Sequence, residues 1–120
     1  MENKEANKLI DKILDNLDKT GIDSETLVDD IKALRAHALE EQVPLVVKVL
    51  RYTYEHIEEN NTFLIPILND EPIEEADSVQ ENELDSPVES LKYLIALMRN
   101  LKNKGNIADI REYKELLLAY

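Results

Sequence analysis

The chain contains no cysteine. This excludes the disulfide framework that small secreted domains depend on, and zinc sites built on thiolates, so a reducing cytoplasm is the expected setting. Tryptophan is also absent, phenylalanine occurs once and glycine only twice. With so few glycines there is no Gly-rich turn beside a Lys and a Ser or Thr, and phosphate-loop nucleotide chemistry is excluded on that ground. Long apolar runs are missing as well. The longest stretch free of charged residues is 60–69, well short of the roughly 18 apolar residues that span a bilayer, so no membrane partner is expected. The opening Met1-Glu2-Asn3-Lys4-Glu5 mixes charges and has no apolar centre, which is not the pattern of a secretory signal.

Positive charge is scarce: 14 Lys and Arg face 26 Asp and Glu, for a net charge of −12. Two thirds of that excess falls in 70–85, which carries eight acids and no Lys or Arg. Direct nucleic-acid binding, which needs cations against phosphates, is therefore not expected. The loose basic set Lys92, Arg99, Lys102, Lys104, Arg111 and Lys114 reads as solvated helix faces and helix ends.

What the chain does have is helical periodicity over most of its 120 residues, a length that fits one domain with its own core. Ala6, Leu9, Ile10, Ile13, Leu14 and Leu17 recur at spacings of three and four, predicting a first helix over about 3–19. Gly21 suits the left-handed residue after it. Asp23 or Ser24 can then cap a second helix with Leu27, Val28, Ile31, Leu34, Ala38 and Leu39 on its apolar face, ending near Gln42. Pro44 lacks a backbone donor and restricts Val43, so a third helix restarts there and runs to about 59. Since the apolar phase continues across Pro44, a single kinked helix over 24–59 is the alternative. The third helix is apolar nearly all round in its first half, which predicts a central position.

Helical patterning stops over 60–85, a long connection for a compact domain. Phe63 to Leu68 reads as an extended segment lying on the bundle, and 70–85 as a mobile acidic run. Ser86-Pro87-Val88-Glu89 has the form of a capping box. It opens a helix that buries Val88, Leu91, Leu94, Ile95, Met98 and Leu101 and is expected to end at Gly105. Asn106 or Asp109 then starts a last helix along Ile107, Ile110, Tyr113, Leu116 and Leu117. The fold class is all-α: an antiparallel bundle of four to five helices forming a single domain over 1–120, with one long acidic connection.

No catalytic constellation stands out. Serines 24, 78, 86 and 90 sit at caps, in the acidic run or on a helix, and neither histidine lies near one in sequence. The Glu-x-x-His pairs that hold metals in bundles are missing, because Leu34 and Thr53 precede His37 and His56 by three. His37 with Glu41, or His56 with Glu59 or Asn60, reads as a chance pairing on acid-rich helices. No metal and no cofactor are expected.

The expected function is non-catalytic: a protein-interaction or assembly module, with a second copy of the chain as the partner in a homodimer. The tail Leu116-Leu117-Leu118-Ala119-Tyr120 places three leucines in a row, which cannot all face one side of a helix, and tyrosines suit interfaces. The candidate contact residues are Tyr52, Tyr54, Phe63, Ile65, Ile67, Leu117, Leu118 and Tyr120. Two alternatives stand beside this reading. The acidic run can be a solvated linker, a dock for a basic protein that makes the chain an acidic regulator or inhibitor, or a phosphate mimic. A small enzyme using carboxylates of the bundle is the other.

Overall fold

The computed structural model describes residues 1–66 and 87–120. Within them the protein is all-helical: α1 Lys4–Thr20, α2 Ser24–Glu40, α3 Pro44–Asn60, α4 Pro87–Leu97 and α5 Lys104–Ala119. Ile67, Leu68, the acidic run 70–85 and the capping serine at 86 lie outside the described residues. No helix among the described residues is long and apolar enough to cross a membrane.

Each boundary has a local cause. The Asn3 side chain accepts hydrogen bonds from the Glu5 and Ala6 amides at 2.7 and 3.1 Å, starting α1. Gly21 closes it at φ 73°, ψ −152°, a backbone region open essentially to glycine alone. Asp23 occupies the N-cap of α2 without making a side-chain capping bond. The break before Pro44 is real, and the kinked-helix alternative falls. Gln42 takes the left-handed conformation at φ 59°, its amide donates to the Leu39 carbonyl at 3.1 Å, and the Val43 amide donates to the Ala38 carbonyl at 3.1 Å. That pair of bonds is the Schellman ending. Asn61, at φ 58°, ends α3 in the same left-handed region.

The last boundary differs from expectation. The fourth helix stops at Leu97 rather than at Gly105, and the fifth begins at Lys104. Asparagines make this turn. Asn103 accepts from the Asn106 amide at 3.1 Å, Asn100 accepts from the Lys102 amide at 3.2 Å, and the Asn106 side chain donates to the Leu97 and Asn100 carbonyls. Gly105 simply sits in the first turn of α5.

The helices form a closed ring in the order α1, α2, α3, α5, α4, each packed on two neighbours. Ion pairs stitch three of the seams: Lys12 to Asp30 at 3.2 Å, Lys32 to Glu58 at 3.5 Å, and Lys92 and Arg99 to Asp18 and Asp11. Neighbours are antiparallel except α3 and α5, whose starts meet near Val43 and Leu101 and whose ends meet near His56 and Tyr120. A ring of five cannot alternate direction all the way round, so one parallel pair is unavoidable. No helix is central, and α3 is a ring member like the others. Its wide apolar surface serves α2 on one flank and α5 on the other.

Two segments outside the helices complete the core. Phe63 and Ile65 are buried while Leu64 between them is 43% exposed, the alternation of an extended strand-like stretch. Phe63 lies against the His56 ring at 5.6 Å and the Tyr113 ring at 6.3 Å, closing the end of the ring where α3 and α5 finish. At the opposite end, the Met1 ammonium donates to the Met98 and Arg99 carbonyls at 2.6 and 2.9 Å, and the Glu41 carboxylate accepts from the Glu2 and Asn3 amides at 2.9 and 3.0 Å.

Candidate interaction surface

Four large apolar side chains are exposed among the described residues: Leu39, Leu64, Leu118 and Tyr120. Three of them gather at the end of the ring closed by Phe63. There a groove of about 480 Å³ opens along the α3/α5 seam, lined by Tyr52, Glu55, His56, Glu59 and Asn60 from α3 and by Leu117 and Tyr120 from the end of α5.

His56 organises this end. It sits one turn beyond Tyr52 on α3 and is buried. Its Nε2 accepts the Leu64 amide at 3.0 Å, so the neutral ring carries its proton on Nδ1. The Phe63 ring meets it edge-on from the core side, and the Tyr120 ring packs against it at 4.8 Å and 70°. Burial holds the His56 pKa below its ordinary 6.5, with Glu59 pulling more weakly the other way. The groove is therefore an apolar and aromatic floor with a carboxylate rim. Glu55 is held by Arg51 at 3.0 Å, whereas Glu59 has no ion-pair partner among the described residues.

The structure divides the residues singled out from the sequence. Tyr52, Leu117 and Tyr120 meet in the groove, while Leu118, exposed on the last turn of α5, does not line it. Tyr54 does not join them. Two residues along a helix turn through about 200°, and Tyr54 lies on the α2 flank with the Lys32 ammonium 5.1 Å over its ring. Phe63 and Ile65 belong to the chain's own core. Ile67 lies outside the described residues. Sequence reasoning missed Glu55, His56, Glu59, Asn60 and Leu64, although Tyr52, His56 and Asn60 recur every fourth residue and so share one stripe of α3.

The buried side chains of Thr53, Ser90 and Asp30 have structural partners, whereas the buried Asn7 Oδ1 and His37 Nδ1 atoms accept no hydrogen bond among the described residues. The Thr53 hydroxyl donates to the Val49 carbonyl, Tyr113 and Ser90 share a hydrogen bond at 3.0 Å, and Asp30 pairs with Lys12. Glu41 is engaged by the N-terminal amides rather than by His37, and the Asn60 side chain donates to the His56 carbonyl. No cluster of three or more potential metal ligands occurs among the described residues.

Comparison with known proteins gives no match: no family model, no curated protein and no solved structure is significantly similar to this chain.

Proposed function

We propose that the protein is a non-catalytic interaction or assembly module that self-associates through the α3/α5 groove. The observation that carries this reading is the concentration of exposed apolar side chains at one end of the ring. Tyr120 is 65% exposed and Leu118 56%, in a chain whose remaining surface is rich in charge. Apolar area gathered around a groove is the usual mark of a contact surface, and burying it is favourable by about 25 cal/mol per Å². A two-fold homodimer is the commonest closed solution. The cysteine-free composition supports a reducing, cytoplasmic setting.

Sedimentation equilibrium at tens of micromolar checks this. The wild-type chain is expected at twice the monomer mass, and the pair Leu118→Ser and Tyr120→Ser, which changes exposed side chains and leaves the core intact, is expected to shift it to monomer. A monomeric wild type at that concentration overturns the reading.

A further inference from the structure

We infer that the two copies pack face to face about a two-fold axis lying across the helices at the level of Tyr52, so that α3 of each protomer runs antiparallel to α3 of the other. This rests on the self-association proposed above and adds its geometry and its charge logic.

On α3, Tyr54 and Glu58 reach Lys32 of α2, so the other flank of the helix borders the seam with α5. That flank carries Leu45, Lys48, Tyr52, Glu55 and Glu59, spaced alternately by three and four, a single stripe of the helix. Each of the five is exposed or half-buried, and this spacing is the one on which two helices pair side by side. On α5, Asp109 accepts from Tyr93 and Tyr113 bonds Ser90, both on α4. Arg111 and Lys114 therefore lie on the flank toward α3.

The charges of this surface are segregated by level along the helices. His56 stands level with Tyr120, their rings 4.8 Å apart, and α3 and α5 run parallel. Lys48 lies eight residues before His56, while Arg111 and Lys114 lie nine and six before Tyr120, so these three cations share one level. Glu115 lies beside them and reduces their sum by one, whereas Glu112, three residues after Asp109, belongs to the α4 flank. Glu55 and Glu59 straddle His56 itself, about two turns further on. Tyr52 is midway between the two groups. Within one chain the groups do not meet: no ion pair crosses the α3/α5 seam among the described residues, and Glu55 is paired only with Arg51 of its own helix.

A two-fold axis across the helices inverts level, and at Tyr52 it exchanges the two groups. Lys48 on α3 of one copy then faces Glu55 on α3 of the other, with Glu59 one turn along, and symmetry repeats the pairing on the far side of the axis. Tyr52 packs beside its own copy at the centre, where its amphipathic ring suits a contact. The Tyr120 ring of each copy is carried over Arg111 and Lys114 of the other, a cation–π arrangement of the kind the chain already forms between Lys32 and Tyr54. An axis along the helices preserves level instead and sets cations on cations and carboxylates on carboxylates. Only the crossing axis is self-complementary, and a second copy is the partner that carries the inverted pattern by symmetry.

Sedimentation equilibrium of the full chain at low salt tests this with Lys48→Glu, Glu55→Lys and the two changes combined in one chain. Each single reversal sets like charges opposite each other twice and is expected to raise the dimer dissociation constant roughly tenfold or more. The combined variant exchanges the signs and is expected to recover most of the wild-type affinity. Net charge cannot imitate this result, because Lys48→Glu makes an acidic chain more acidic and Glu55→Lys makes it less so, which would move the two in opposite directions. Circular dichroism confirms folding of each chain; if Glu55→Lys, which also releases Arg51, does not fold, Glu59→Lys replaces it. Cross-linking gives a second readout, since the chain has no cysteine of its own. Tyr52→Cys places a single thiol at the axis and is expected to form a disulfide-linked dimer in oxidised glutathione, whereas Tyr54→Cys, on the α2 flank, is not. A dimeric wild type indifferent to both reversals, a combined variant no tighter than the single ones, or a Tyr54→Cys chain that links as readily as Tyr52→Cys overturns this geometry while leaving self-association standing. A monomeric wild type removes both.

Discussion

Acidification from neutral pH protonates His56 once the pH falls through its lowered pKa, and the consequence can be worked from its contacts. The Leu64 amide donates to Nε2 at 3.0 Å, so a proton added to Nε2 sets donor against donor. The amide loses its acceptor in a partly buried site, a cost of about 1–3 kcal/mol. Burial of the ring adds to this in the same direction, and Glu59 offsets part of it. Because the folded-state pKa lies below the unfolded value of 6.5, the contribution is fully present above 6.5 and is lost as pH falls through the folded pKa. Against a total stability of about 5–15 kcal/mol this is a substantial fraction, equivalent to several degrees of melting temperature. The comparison is wild type against His56→Gln, whose amide oxygen can accept the same bond but does not titrate. Thermal melts at one fixed protein concentration are expected to show the wild type losing ground to the variant as the pH drops. The carboxylates common to both chains cancel in the difference. A difference that stays constant, or a wild type that gains on acidification, refutes the assignment of Nε2 as acceptor.

Three further outcomes are expected from chemical denaturation. Gly21→Ala should destabilise by about 1–3 kcal/mol through backbone strain alone, since the added Cβ would meet Val88 at an ordinary 3.8 Å; an unchanged midpoint would contradict the ψ −152° conformation. Gln42→Gly should stabilise by up to about 1 kcal/mol by relieving a left-handed non-glycine residue, and a loss would mean that the Gln42 side chain holds the turn. Glu41→Ala should cost about 2 kcal/mol by removing a charged acceptor from the Glu2 and Asn3 amides, and should be felt as easier exchange of amides at the start of α1.

The candidate surface was legible in the sequence only in part. Tyr52, Leu117, Leu118 and Tyr120 could be picked out because large apolar residues at a chain end or on an already apolar helix have no evident inward partner. Tyr54 could not be separated from Tyr52, because the flank each occupies depends on where α2 and α5 pack. Phe63 and Ile65 read equally well as surface or core, since a short apolar stretch has no period long enough to show which side is covered. His56 looked like an incidental histidine until the extended segment folded back and offered it the Leu64 amide.

The sequence by itself determined the helices, because 3.6-residue periodicity, the asparagine at position 3, Gly21 and Pro44 act within a few residues of where they stand. The α4/α5 boundary is misplaced in the sequence because Gly105 reads as a stop, whereas a glycine ends a helix only where the chain needs a positive φ, and that need arises at Gly21, Gln42 and Asn61 instead. Tertiary structure alone decided the ring order, the single parallel pair and the groove between its members. Those follow from how five apolar stripes close on one another, a contest among distant surfaces that no local pattern encodes.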